Sequence, residues 1–180
     1  MENTSDAASV LNDLPYDLTR PLNHTEPAFF PISLTKLIVL SICTFGFYQV
    51  YWFFQNWQII KIREHSNISA TWRALLAPLF CYSLFKRISQ SSMPIINIHP
   101  ALLAIVFFIL SIIGSLPSYY SIIWQLSNLI LIPVQIAVNH INRTQVPDHD
   151  PNARFSILNI VIIIVGLTIM GLALFGSFIQ

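Results

Sequence analysis

Residues 100–139 read PALLAIVFFILSIIGSLPSYYSIIWQLSNLILIPVQIAVN and contain no Asp, Glu, Lys, Arg or His. The same five residue types are absent from residues 37–54 and from residues 155–180. Because hydrocarbon disfavours charge strongly, a helix that crosses a bilayer needs about 20 mostly apolar residues. These stretches therefore predict an all-α membrane protein built as a bundle of transmembrane helices.

The composition agrees with this interpretation. Hydrophobic residues make up 54% of the 180 residues and charged residues 9%, whereas a soluble domain carries about 25% charged residues. The formal net charge of +1 gives no reason to expect a nucleic-acid partner. Cys43 and Cys81 both lie inside apolar segments, which indicates buried thiols rather than a disulfide or a metal pair.

The apolar segments divide the chain into a flexible polar tail, residues 1–28, and a helical transmembrane domain, residues 29–180. Four crossings are predicted at about residues 34–56, 100–115, 119–140 and 155–178. The apolar segment 74–85 would span only about 18 Å as a helix, which is too short for a hydrocarbon core about 30 Å thick. We therefore expect a short re-entrant or interfacial helix there, with five crossings as the alternative.

The positions of Lys and Arg predict the orientation, because these residues concentrate on the cytoplasmic side. With four crossings, Lys36 and Arg20 fall on the outer side and both termini lie outside the cytoplasm. Seven basic residues then face the cytoplasm: Lys61, Arg63, Arg73, Lys86, Arg87, Arg143 and Arg154.

The segment 119–142 carries a polar stripe of uncharged amides. At about 100° per residue they fall within roughly a 100° arc of the helix. Amides in lipid need hydrogen-bonding partners, so this face either packs against other helices or lines a pore or a ligand site. Its members are Gln125, Asn128, Gln135, Asn139 and Asn142.

The most polar cluster of the domain lies in and just before the loop 146–154. Asp150 followed by Pro151 indicates the cap and first residue of the last helix, and Arg154 would contact lipid headgroups. A metal or catalytic site and a docking site for a partner are the alternatives, although the spacing matches no specific metal motif and the metal is unknown. The cluster comprises His140, Arg143, Asp148, His149, Asp150 and Arg154.

A stripe of small or short residues follows the last predicted helix at intervals of seven, seven and four residues. Small residues let helix backbones approach closely where lipid supplies no hydrophobic driving force. We therefore expect this face to pack against another helix. Its members are Asn159, Gly166, Ala173 and Ser177.

Several short motifs resemble a family of uncharacterised small multi-pass inner-membrane proteins of bacteria, a domain-of-unknown-function family. The resemblance covers about residues 29–160 and implies a multi-pass location in the bacterial inner membrane. It implies no activity, cofactor or site residue. The motifs are CTFGFY (residues 43–48), YWF (51–53), WRA (72–74), FCYSLF (80–85) and PDHDPNAR (147–154).

The function that the sequence favours is a non-enzymatic integral membrane protein that binds lipid or a membrane partner. A small permease or channel that uses the polar face of 119–142 is one alternative. A membrane enzyme acting on a lipid-borne substrate is another. No cofactor is expected. The expected partners are the lipid bilayer and a second membrane protein or another copy of the chain, and not nucleic acid.

Overall fold

The structure is a computed structural model that describes residues 26–91, 98–114 and 121–178, with side chains described outside 121–125 and 173–178. Seven helices and no strands occur in these ranges. In chain order they are α1 (Leu34–Cys43), α2 (Phe47–Arg63), α3 (Ala70–Leu75), α4 (Ala77–Ser91), α5 (Pro100–Gly114), α6 (Ser121–Gln145) and α7 (Ile157–Phe178).

The all-α part of the predicted fold is confirmed, and α5, α6 and α7 match the predicted segments closely. None of the helices in the described ranges combines the length and the apolarity that a membrane crossing demands. Most of the predicted tail, residues 1–25, lies outside the described residues.

The prediction of one continuous helix over 34–56 is wrong, because the chain reverses between α1 and α2. Phe45 and Gly46 have φ angles of 52° and 88°, the left-handed region that favours glycine. Thr44 supports the turn from both sides: its hydroxyl donates to Leu40 O at 2.7 Å and accepts from Tyr48 N at 2.9 Å.

The reversal is visible in what lies beside the end of α2. The backbone N–H of Phe30 donates to Asn56 Oδ1 at 3.1 Å, although one helix over 34–56 would separate its ends by about 33 Å. Helices α1 and α2 therefore form a hairpin that begins and finishes at the same end of the bundle, and the first predicted crossing is lost.

The short helix predicted at 74–85 is also different in the structure, where two helices share this segment. Helix α3 ends at Leu75, and α4 starts at Ala77 and continues to Ser91. Pro78 therefore lies in the first turn of α4 rather than in the middle of a helix, at a position where its missing N–H leaves no helical hydrogen bond unmade. The predicted segment therefore starts ahead of α4 and ends short of it, since residues 74–75 belong to α3 and α4 continues past residue 85 to Ser91.

Helix α7 packs parallel to α1. Lys36 lies beside Asn159, and Cys43 lies beside Gly166. The second contact follows the first by seven residues on both helices, so the two helices run in the same direction. A Cβ at Gly166 would lie 1.9 Å from the carbonyl oxygen of Cys43. The expected close packing of the small-residue stripe is confirmed at Gly166, whereas the side chains of Ala173 and Ser177 lie outside the described residues.

The hairpin determines which helix ends lie together. Residues before α1 lie beside the last turns of α6, and α2 runs parallel to α6, since Gln49 contacts Asn128 and Trp52 contacts Gln135. Helices α2 and α6 therefore finish at one end, called here the charged end, which carries Lys61, Arg63, Lys86, Arg87, Arg143 and Arg154.

Lys36 was predicted to lie on the opposite side of the membrane from Arg154, and this is wrong. Its ammonium group donates to the carbonyl oxygen of Arg154 at 2.8 Å. The error has the same origin as the helix prediction: when α1 and α2 fold back on each other, the start of α1 and the end of α2 lie at the same end.

We expect Gly166→Ala to lower the free energy of unfolding by about 1–3 kcal/mol, because the new methyl group must displace the backbone of α1. Gly171→Ala is the matched control on the same helix, since nothing lies within 4 Å of a Cβ built there. It should be neutral or stabilise by up to about 1 kcal/mol through helix propensity. Thermal unfolding followed by circular dichroism measures both, and equal effects would contradict the close packing.

Candidate functional site

The polar stripe of α6 faces the interior of the bundle. Gln135 and Asn142 are fully enclosed, Asn128 is buried and Asn139 is half-buried. The side chain of Gln125 lies outside the described residues. Uncharged amides in such a position are costly unless they are paired, so their partners show what the stripe does.

Gln135 joins three parts of the structure. Its Oε1 accepts from Trp52 Nε1 at 2.6 Å, and its Nε2 donates to Ile32 O at 3.1 Å and to Asn139 Oδ1 at 2.8 Å. One enclosed side chain therefore connects α6, α2 and the segment before α1.

The segment 28–32, called here the lead-in segment, is not helical and is largely buried. Its backbone groups are satisfied by side-chain amides. Asn142 Oδ1 accepts from Phe29 N at 3.1 Å, and its Nδ2 donates to Phe29 O at 2.9 Å. Asn56 Oδ1 accepts from the N–H of Phe30. The rings of Phe29 and Phe30 are both buried in the core.

Farther from the charged end, the stripe holds α2. Gln49 Nε2 donates to Ser127 Oγ at 3.0 Å and to Asn128 Oδ1, and Ser127 Oγ donates back to Gln49 Oε1 at 3.3 Å. All three residues are buried. The described amides of the stripe thus bind the protein itself.

Lys36 forms a second polar centre, on α1. The residue is 5% exposed, and its ammonium group donates to Asn152 Oδ1 at 2.7 Å and to Arg154 O at 2.8 Å. When the Asn159 amide is oriented so that both its oxygen and its nitrogen are satisfied, its Oδ1 accepts from the same ammonium at 3.2 Å. Three acceptors match the three protons of an ammonium group, which offsets the cost of burying its charge.

The loop cluster forms its own local structure. Asp150 Oδ1 accepts from Asn152 N at 2.8 Å, and Asn152 adopts a left-handed backbone with φ of 48°. His149 Nδ1 lies 2.6 Å from Val146 O. The prediction that Asp150 caps the last helix is wrong, because α7 begins at Ile157 and the Ser156 hydroxyl accepts from Asn159 N.

The remaining residues of the cluster are not brought together. Asp148 and Arg143 are exposed, His140 is half-buried, and the side chain of Arg154 is exposed while its carbonyl binds Lys36. Within the described part of the chain, no group of three or more His, Cys, Asp or Glu residues is arranged to hold a metal ion.

A polar cleft of about 430 Å³ opens at the charged end. Arg63 and Glu64 from the end of α2, Arg87 and Gln90 from α4 and Gln145 from α6 line it. Phe29 and Ile60, which are buried in the core, also border it. This cleft, called here the basic cleft, brings residues from three helices and the lead-in segment to one place.

Two contacts fix Arg87 in the basic cleft. Its guanidinium forms an ion pair with Glu64, and it lies 6.0 Å from the ring centroid of Trp57. Arg73 approaches the same indole ring at 4.5 Å, within the range of a cation–π contact. Trp57 itself is fully buried.

The sequence indicated that the basic residues of this end lie together. It did not indicate the basic cleft or the polar centre that Lys36 forms with its acceptors. Arg63 and Arg87 are 24 positions apart, and Gln90 and Gln145 carry no motif. Two acceptors of the Lys36 centre lie in patterns that the sequence showed, since Asn152 belongs to the PDHDPNAR motif and Asn159 to the small-residue stripe of the last helix.

Comparisons with protein-family models, curated proteins and solved structures found no match to this chain.

We expect Gln135→Leu to destabilise the fold strongly, because it leaves Trp52 Nε1 and Ile32 O buried without a partner, at about 1–3 kcal/mol for each. Asn139→Ala is the milder control, since it removes only one of the bonds that Gln135 makes. Chemical unfolding of the purified protein gives both values. Equal stability of Gln135→Leu and the unmodified protein would contradict the packing role.

We expect Lys36→Met to release the loop before α7, because Asn152 Oδ1 and the Arg154 carbonyl lose their donor. Limited digestion with trypsin measures this as faster cleavage after Arg154, relative to cleavage after Arg143 in the same sample. Lys61→Met removes an exposed lysine and should leave the ratio unchanged. An unchanged ratio in Lys36→Met would show that the loop holds its position without the lysine.

Proposed function

We propose that the chain is an integral membrane protein that binds lipid or a membrane partner and catalyses no reaction. The observation that supports this most directly is the distribution of polarity between interior and surface. Large apolar side chains are exposed on α5 and α7, while amides are enclosed. The exposed residues on these two helices include Leu102, Ile105, Phe108, Ile109, Ile112, Ile157, Leu158, Ile160, Val161, Ile164, Val165, Leu167, Ile169 and Leu172.

The exposed fractions are large. Ile157 is 83% exposed, Leu158 67% and Leu172 66%. A soluble monomer rarely exposes a contiguous apolar patch of more than a few hundred Å², whereas a surface in contact with lipid tails is apolar throughout. The proposal therefore rests on this surface rather than on the length of any one helix.

The charged end supports the same proposal. In the described part of the chain, the Lys and Arg residues lie toward this end, with Arg73 reaching inward to Trp57. Such an asymmetry is what the preference of Lys and Arg for the cytoplasmic side produces. We propose that the charged end faces the cytoplasm at the bacterial inner membrane, and that the α1–α2 hairpin enters and leaves the membrane from that side.

The alternatives have less support. A pore or permease face needs polar groups that reach the solute, whereas Gln135 and Asn142 are enclosed and already bound to the protein. An enzyme acting on a lipid-borne substrate needs acid–base groups close together. Asp148 and His149 instead belong to a loop in which the histidine contacts Val146.

The proposal is tested by fractionating cells that express the full chain. We expect the protein to stay in the membrane pellet after washing with alkaline carbonate and to be released by detergent. Complete release by carbonate as a folded monomer would contradict the proposal.

A pair of substitutions tests contact with lipid. Ile164 on α7 is 58% exposed, and Ile164→Lys places a charge there, where a lysine at membrane depth costs about 2.5–3.5 kcal/mol. Asn67→Lys adds the same charge in an exposed loop. We expect Ile164→Lys to lower the membrane-bound fraction and Asn67→Lys to leave it unchanged. Equal fractions would argue against lipid around α7.

A further inference from the structure

The basic cleft combines fixed positive charge with amide groups. Arg63 and Arg87 supply two guanidinium groups, and Gln90 and Gln145 line the same cavity. A guanidinium presents a planar fork of N–H donors that matches the oxygens of a phosphate group. The cavity volume of about 430 Å³ lies in the range of small-ligand sites.

The two arginines differ in their state. Arg87 is held by Glu64 from α2 and by its approach to Trp57. Arg63 is exposed, and the Glu64 carboxylate, which lines the same cleft, is paired with Arg87. The cleft therefore presents one arginine that an ion pair holds in position and one that is exposed.

The charge balance selects the ligand. Two guanidinium groups and one carboxylate leave a net charge of +1 in the cleft, which one singly charged anion would neutralise. A phosphodiester carries one negative charge, whereas a free phosphate carries between one and two near neutral pH. Phe29 and Ile60, which border the same cavity, are buried, so recognition of the anion rests on the charged and amide groups.

We propose that the basic cleft binds a phosphate-bearing anion, with Arg63 as the main charged contact and Arg87 as the pre-positioned second one. A phospholipid headgroup and a free phosphate share this chemistry. The lipid form of the inference rests on the proposed function, because a lipid reaches the cleft only from a membrane. The contact between Arg63 and a phosphate does not depend on a membrane location.

The experiment is native mass spectrometry of the full chain in detergent, with defined probes added one at a time. The probes are phosphatidylglycerol, diacylglycerol, which lacks the phosphate, and inorganic phosphate in the absence of lipid. The variants are Arg63→Gln and Arg87→Gln. Lys61→Gln is the matched control, because it removes the same charge from the same helix at an exposed residue that does not line the cleft.

We expect retention of phosphatidylglycerol but not of diacylglycerol, and a loss of about tenfold in Arg63→Gln, as for one charge-assisted contact. Lys61→Gln should retain the lipid fully. Retention of inorganic phosphate with the same dependence on Arg63 would support the site with a free phosphate as its ligand. If inorganic phosphate is retained in this way and carbonate also releases the protein from membranes, the membrane location is rejected while the cleft is still supported as a phosphate-binding site.

Equal retention of phosphatidylglycerol by Arg63→Gln and the unmodified protein would overturn the proposal. Equal losses in Arg63→Gln and Lys61→Gln would also overturn it, because the binding would then follow net charge rather than the cleft. Circular dichroism of each variant confirms that the comparison is between folded proteins, and Arg87→Gln repeats the test at the second arginine.

Discussion

Asn142 hydrogen-bonds both backbone groups of Phe29, and the rest of the bundle depends on this kind of contact. The lead-in segment is buried without being helical, so its N–H and C=O groups cannot satisfy one another. Each such group left unpaired in the interior costs about 1–3 kcal/mol. The amides of Asn142, Asn56 and Gln135 meet this requirement, and each fixes one residue of the segment in register with a helix.

The turn at Phe45 and Gly46 brings these amides together. Because α1 and α2 fold back on each other, Trp52 and Ile32 reach the same amide of α6 from two sides. A straight helix would place the lead-in segment far from Asn56. The two left-handed residues therefore decide which faces meet, and the stripe on α6 then holds the hairpin closed.

Much of the architecture follows from features that the sequence shows directly. The apolar stretches locate α5, α6 and α7, and the period of the amides places Gln135 and Asn142 on one inward face. The small residue at Gly166 indicates close packing. These features can be predicted from the sequence because each of them depends on the residues of a single helix.

The features that sequence reasoning missed depend on two distant segments. Gly46 is the local signal of the Thr44–Gly46 turn, but the apolar Phe45 and Phe47 on both sides of the glycine favoured a continuous helix. The true partners on α2, Gln49 and Asn56, lie on a face that the predicted continuous helix did not single out. Lys36 finds its acceptors more than 110 residues away, so burial of its charge is a property of the folded chain alone.

The lead-in segment also links the packing to the basic cleft. Phe29 is held by Asn142 on one side and lines the cleft on the other, while Gln145 extends the same helix by one turn into that cavity. The amide that satisfies a backbone in the interior therefore also positions one wall of the cleft. Because the segment joins that wall to the rest of the bundle, a change in the stripe would alter the spacing between Phe29, Arg63 and Arg87. The packing of the lead-in segment and the shape of the basic cleft consequently depend on the same hydrogen bonds.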